Sequence, residues 1–190
     1  MPTGAQGSGM RHGDRELALA RKLSLRVEGR RVVFFKRPFE GTFHVLAKAL
    51  GYALFSPLYP DLRVEVPVRD RYRPDLVALS PEGEPLFWGE CGALAREKLR
   101  RLLRRYTRTH FAVFEPQGVF AEWGQFLQAE LAGSDRRAPL ELFGCPEDLR
   151  GFFRDDGTVD LGAGPLAQRR WPEQGVNGSP APAAWSSVDR

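Results

Sequence analysis

The sequence predicts a mixed α/β sandwich, one β-sheet flanked by helices. Three observations predict it. Apolar runs of strand type and apolar series of helical period alternate along the chain. Proline and glycine punctuation falls between them. A length of 190 residues with 42% hydrophobic content suits one domain with tails better than two domains. The folded unit is expected from about residue 22 to 161. Residues 1–21 are rich in glycine and polar side chains. Residues 162–190 are rich in Gly, Pro, Ala and Ser, and both segments are expected to be disordered.

Leu23, Leu25 and Val27 alternate with polar residues, Glu28-Gly29 can turn, and Arg31 to Phe35 follows, which reads as a β-hairpin. Pro38 is expected to open a helix whose apolar face is Phe43, Leu46, Ala47, Leu50, Ala53 and Leu54, with Pro57 and Pro60 stopping it. Arg63 to Val68 reads as a short edge strand because of Pro67. Strands over 74–79 and 86–91 flank a turn from Ser80 to Pro85, and Gly92 ends the second. A helix is expected from about Ala93 to Tyr106, with Leu99, Leu102, Leu103 and Tyr106 inward and the arginines outward. His110 to Phe114 is a buried strand, and Val119 to Leu131 an amphipathic helix. Leu140 to Phe143 is a strand and Pro146 to Phe153 a short helix.

Composition excludes several function classes. No stretch approaches the roughly 18 apolar residues of a membrane span, and the N-terminal residues have no apolar core of a signal peptide. Two cysteines, Cys91 and Cys145, exclude a disulfide scaffold and an all-cysteine zinc site. The expectation is a reduced, cytoplasmic protein with no membrane partner. His12, His44 and His110 lack metal-ligand spacing, and there is no Walker loop or Gly-x-Ser-x-Gly elbow. The net charge of +4 is modest but concentrated, because residues 96–108 hold seven basic residues and one acid. Arg96, Arg100, Arg101, Arg104, Arg105 and Arg108 point to a polyanion such as nucleic acid. The plainer reading is a solvated helix face.

The turn between the two central strands fixes a register. If its axis lies between Glu82 and Gly83, Asp75 and Glu90 are cross-strand neighbours on one face. Two opposed carboxylates inside apolar strands repel and lose hydration, so a compensating cation is expected, and oxygen ligands suit magnesium. Alternatively the strands are partly exposed and both acids face water. Glu40 extends the buried face of the first helix and either caps it or reaches the same metal. Lys98 lies about one and a half turns into the basic helix and either projects back toward the pair or joins the solvated face, with Arg96 and Arg101 competing for that place.

At these residues the chain resembles the PD-(D/E)XK nuclease superfamily, and within it the YaeQ family. The matching features are Arg37-Pro38-Phe39-Glu40 before an apolar helix ending Ala49-Leu50-Gly51-Tyr52-Ala53-Leu54, then Arg73-Pro74-Asp75-Leu76, then Trp88-Gly89-Glu90-Cys91-Gly92 before a basic helix. The resemblance implies a restriction-endonuclease-like mixed β-sheet flanked by helices. It implies magnesium on Asp75 and Glu90, with the Cys91 carbonyl as a further ligand, and catalytic roles for Lys98 and Glu40. The implied chemistry is metal-assisted phosphodiester hydrolysis of DNA or RNA. Position 92 is Gly where the superfamily pattern carries its lysine, and Lys98 from the next helix is the implied substitute. Two other readings stand beside this one. A non-catalytic relative would keep the fold and bind nucleic acid or a protein of the transcription or repair machinery. A small regulatory protein would carry the arginines only as a solvated face.

Overall fold

The computed structural model describes residues 22–27, 29–37 and 40–171. The segments 1–21 and 172–190, Glu28, Pro38 and Phe39 lie outside the described residues, and so do the expectations that fall on them.

Two strands, β1 (Lys22–Val27) and β2 (Arg30–Phe35), form an antiparallel hairpin that is a sheet of its own. Helix α1 (Thr42–Phe55) follows. The main sheet has six strands: β3 (Arg63–Val64), β4 (Leu76–Leu79), β5 (Pro85–Cys91), β6 (His110–Pro116), β7 (Leu140–Cys145) and β8 (Ala167–Trp171), in that spatial order. Strands β5, β6 and β7 run parallel and the outer pairings are antiparallel. Helix α2 (Arg96–Arg105) connects β5 to β6, and α3 (Phe120–Leu131) connects β6 to β7. The mixed sheet flanked by helices is the fold class the sequence predicts.

Each sheet face has its own core. On one face Leu46, Leu50, Leu54 and Phe55 of α1 pack on Leu76, Ala78, Phe87, Phe114 and Phe143. On the other, Leu99, Leu102 and Leu103 of α2 and Trp123 and Leu127 of α3 cover Trp88, Phe111, Val113, Leu140 and Leu142. The hairpin lies on the outer side of α1, where Leu25 and Phe34 meet Val45 and Ala49. Helix α1 is therefore apolar around most of its circumference, which is why so little of it reads as a solvent face. Gly51 lets it approach the sheet, since a Cβ there would stand 2.9 Å from Leu76 Cδ1 and Phe114 Cε2.

Several predicted boundaries move, each for a local reason. Helix α1 starts at Thr42, after Glu40, whose Oε2 accepts the Arg37 N–H at 2.8 Å. The strand expected over Arg63–Val68 stops at Val64, because Glu65 is left-handed at φ 51°. Helix α2 begins at Arg96, since Gly92 (φ 66°) and Ala93 (φ 50°) turn the chain out of β5. The helix expected over Pro146–Phe153 is a single 3-10 turn, Leu149–Phe152.

The largest correction is the C-terminal boundary. The folded unit does not end at residue 161, because Ala167–Trp171 pairs with β7 as the far edge strand. Trp171 is buried against the α2 and α3 layer and donates Nε1–H to Gln128 Oε1 at 2.7 Å. Replacing it leaves a cavity and removes one of the two hydrogen bonds that Gln128 Oε1 accepts. Trp171→Ala is expected to cost about 3 kcal/mol of unfolding free energy in urea denaturation, and an unchanged midpoint would show that β8 is dispensable.

Candidate functional site

The site lies at the C-terminal end of β5. The predicted register holds there. Leu76, Val77 and Ala78 pair with Gly89, Trp88 and Phe87, and the pairing shifts by a residue only at Leu79, next to the turn. Asp75 continues this ladder, donating its N–H to the Gly89 carbonyl at 3.1 Å. Asp75 and Glu90 thus stand at one strand end, where the Asp75 charge bears on Glu90, and each carboxylate takes its side-chain partner from a different helix or strand.

Asp75 turns toward α1. Its Oδ2 accepts the Cys91 N–H at 2.9 Å, and its Oδ1 lies 3.1 Å from His44 Nε2. The same nitrogen lies 3.1 Å from Glu40 Oε1. Two acceptor-only carboxylates face one nitrogen, so Nε2 carries the proton. Lys48, one turn further along α1 and fully buried, donates to both Glu40 and Glu65. Arg37 closes the group by pairing with Glu65. Burial alone works to lower the Lys48 pKa, but the bonds to Glu40 and Glu65 outweigh it and hold the ammonium above its ordinary value. Burial likewise opposes the charged forms of His44 and Asp75. Their mutual bond and attraction win, raising the imidazole and lowering the carboxyl. Arg37, Glu40, His44, Glu65, Arg73 and Asp75 line a cavity of about 310 Å³.

Glu90 turns the other way, into the α2 layer. Only 4% of it is exposed. Its Oε1 accepts the Trp88 indole N–H at 2.7 Å, and its Oε2 accepts from Lys98 Nζ at 2.7 Å. Burial is the largest influence on its pKa and raises it. The Asp75 charge raises it further, against the opposing effect of Lys98 and Trp88. Arg96 and Arg101, the competitors for the place beside Glu90, turn instead to Glu122 and Glu97. Lys98 reaches Glu90 because the Gly92–Ala93 turn sets the start of α2 back from the strand. Glu115 of β6 braces that turn, accepting the Leu94 N–H at 3.3 Å.

The expected constellation is thus two linked clusters. Asp75 and Glu40 meet through His44, while Glu90 and Lys98 pair on the other side of the strand end, outside the α1 cavity. Cys91 is fully buried in the α1-side core, and burial pushes its thiol well above the usual range, so its side chain is no thiolate ligand. His44, Lys48, Glu65 and Trp88 are the partners that sequence reasoning missed. The spacing Glu40, His44, Lys48 at intervals of four was a readable signal for two of them.

Among the described residues no group of three or more His, Cys, Asp or Glu side chains is arranged to hold a metal ion. A magnesium ion needs only one or two carboxylates, with water and substrate oxygens completing the shell. Asp75 and Glu90 are hard oxygen donors at one strand end, the chemistry a magnesium ion takes, and burial is the main cause of the raised pKa of Glu90.

The basic helix is less basic than its sequence. Arg96 pairs with Glu122, Arg100 with Glu97 and Glu130, Arg101 with Glu97, Arg104 with Glu130 and Arg105 with Asp70. Arg108 is exposed beyond the helix end. The helix arginines are paired with the helix's own Glu97 and with acids from other elements. No helix among the described residues is long and apolar enough to cross a membrane.

No family model matches the sequence, and no match was found among curated proteins. Solved structures do match. The crystal structure of YaeQ protein from Xanthomonas axonopodis pv. citri superposes with a TM-score of 0.50 and 17% identity, covering 68% of this chain and 75% of that one. The crystal structure of YaeQ protein from Pseudomonas syringae gives 0.52 and 20%, covering 70% and 75%. The chain has a YaeQ-like fold. The shared fold covers most of each chain, and at this identity the likeness extends to the fold alone.

Glu115 gives a test of how the YaeQ-like frame holds the site. Burial pushes its carboxyl from 4.5 up to about 7. Between those values the folded protein keeps a proton that the unfolded chain releases, so this contribution to stability is lost as pH rises. Gln keeps the acceptor and cannot ionise. From about pH 5 to about pH 8, Glu115→Gln should gain about 2–3 kcal/mol relative to wild type in denaturant titrations. Parallel pH curves for the two proteins would contradict this.

Proposed function

We propose that this YaeQ-like protein hydrolyses phosphodiester bonds in nucleic acid, at a site formed by Asp75, Glu90 and Lys98. The observation that carries the reading is Glu90. It is a buried carboxylate whose pKa stays raised although Lys98 lies 2.7 Å away, with Asp75 at the same strand end. Such a carboxylate is costly to a fold and suited to holding a cation. A magnesium ion held by Asp75 and Glu90, with the Cys91 carbonyl as a further oxygen, would supply Lewis-acid activation of the scissile phosphate. Lys98, anchored on Glu90, keeps an ammonium beside that position to offset charge developing on phosphate oxygens. Glu40 acts at one remove, orienting Asp75 through their common partner His44.

A second reading is favoured by one observation. Asp75 and Glu90 are already met by a histidine and a lysine, so the charges close to balance without a metal. That arrangement suits a non-catalytic protein that keeps the nuclease-like fold and binds nucleic acid or a transcription or repair protein. Cleavage assays on labelled single- and double-stranded DNA and RNA, with magnesium or manganese, separate the two. Hydrolysis predicts cleavage by wild type and a loss of about 100-fold or more in Asp75→Asn and Lys98→Met, with both variants folded by circular dichroism. Absence of metal-dependent cleavage by wild type on every substrate would leave the binding reading.

A further inference from the structure

The sequence places its positive charge on helix α2, but the structure leaves the unpaired charge elsewhere. The loop before Asp75 reads Arg69-Asp70-Arg71-Tyr72-Arg73. Arg69, Arg71 and Arg73 are all exposed, and among the described residues none has a carboxylate partner. Arg71 donates to the Tyr72 hydroxyl, and Arg73 donates to a backbone carbonyl, that of Glu65. The acid between them is already occupied. Asp70 accepts the Tyr72 N–H at 2.9 Å and the Tyr106 hydroxyl at 2.9 Å, and pairs with Arg105 at 3.2 Å. It cannot neutralise the loop.

This loop and α2 enclose a second cavity of about 410 Å³, lined by Arg71, Tyr72, Arg101, Leu102 and Arg105 among others. Tyr72 is half-buried. The Arg71 guanidinium lies 4.5 Å from its ring centroid and Lys98 Nζ 5.8 Å from it. Lys98 is the residue paired with Glu90, so the cavity adjoins the proposed hydrolytic site. Arg73, on the far side of the same loop, lines the cavity that holds Asp75. The loop therefore carries unpaired cations on both flanks, next to an aromatic ring.

We infer that loop Arg69–Arg73 and the Tyr72 cavity bind a single strand of nucleic acid, with phosphates on the loop arginines and one unpaired base against Tyr72. The inference deepens the phosphodiester reading and rests on it only for the strand's direction toward Lys98. Loop guanidiniums without acid partners gain from phosphate contact because no internal ion pair must first break. An aromatic ring recessed in a cavity offers stacking to a base outside a helix, and nothing to a base within a duplex.

Fluorescence anisotropy with labelled oligothymidylate or oligouridylate strands, in EDTA so that no metal takes part, tests it. Wild type should bind at least one of these strands more tightly than a duplex of equal length. Tyr72→Leu should weaken strand binding about tenfold, the size of one lost stacking contact. Arg71→Glu should weaken it and flatten its salt dependence, and Arg30→Glu on the distant hairpin should leave it unchanged. Lack of strand binding, tighter duplex binding, or a Tyr72→Leu protein indistinguishable from wild type would overturn the inference. The two readings fail separately. Strand binding that depends on Tyr72 without any cleavage overturns hydrolysis alone, and cleavage with binding indifferent to Tyr72 and Arg71 overturns this inference alone.

Discussion

Glu90 places an ionisable group under a sheet layer where an unpaired charge costs several kcal/mol. Much of the nearby architecture meets that constraint. The β5 strand must end where it does, so that Gly92 and Ala93 can turn the chain with left-handed backbone. That turn must be braced, and Glu115 supplies the acceptor from the adjoining parallel strand. Helix α2 must then start at Arg96 for Lys98 to reach back to the carboxylate. Trp88, two residues earlier on the same face, offers its indole N–H to the remaining oxygen.

The α1 side solves the same problem with different partners. Asp75, Glu40 and Glu65 are met by His44, Lys48 and Arg37, and the buried lysine at the centre ties the helix to the loop that precedes β4. Removing Lys48 would leave two carboxylates facing each other in a partly dry space. This network also explains why α1 can be apolar on both sides and still carry a lysine in its buried stretch. The two clusters meet at the end of β5, where the Asp75 charge bears on Glu90. On the proposed reading, a substrate phosphate or a cation would act at that meeting point.

The sequence was most legible where the physics is local. The turn between β4 and β5 and the flanking apolar runs gave the antiparallel pairing and the register beside Asp75. The helical phase of Phe43, Leu46 and Leu50 gave α1. Much of what the sequence concealed depends on long-range partners. Nothing near Arg96–Arg105 shows that Glu122, Glu130 and Asp70 will neutralise them, because those acids come from other elements. Strand β8 hid within a Gly- and Pro-rich stretch, since its pairing comes from β7 and its burial from one tryptophan. Asp75 sits beyond the regular strand, so alternation did not decide its direction, and His44 did. The YaeQ-like fold followed from the order of the motifs, while the separation of the site into two clusters needed the side chains.

The central claim is that Asp75 and Glu90 form a shared cation site. Isothermal titration calorimetry of magnesium and of manganese into the folded protein tests it most directly, with wild type, Asp75→Ala and Glu90→Gln compared at equal concentration. The account predicts saturable binding to wild type that is lost in both variants. No binding heat with wild type for either metal, or binding that survives both substitutions, would contradict it.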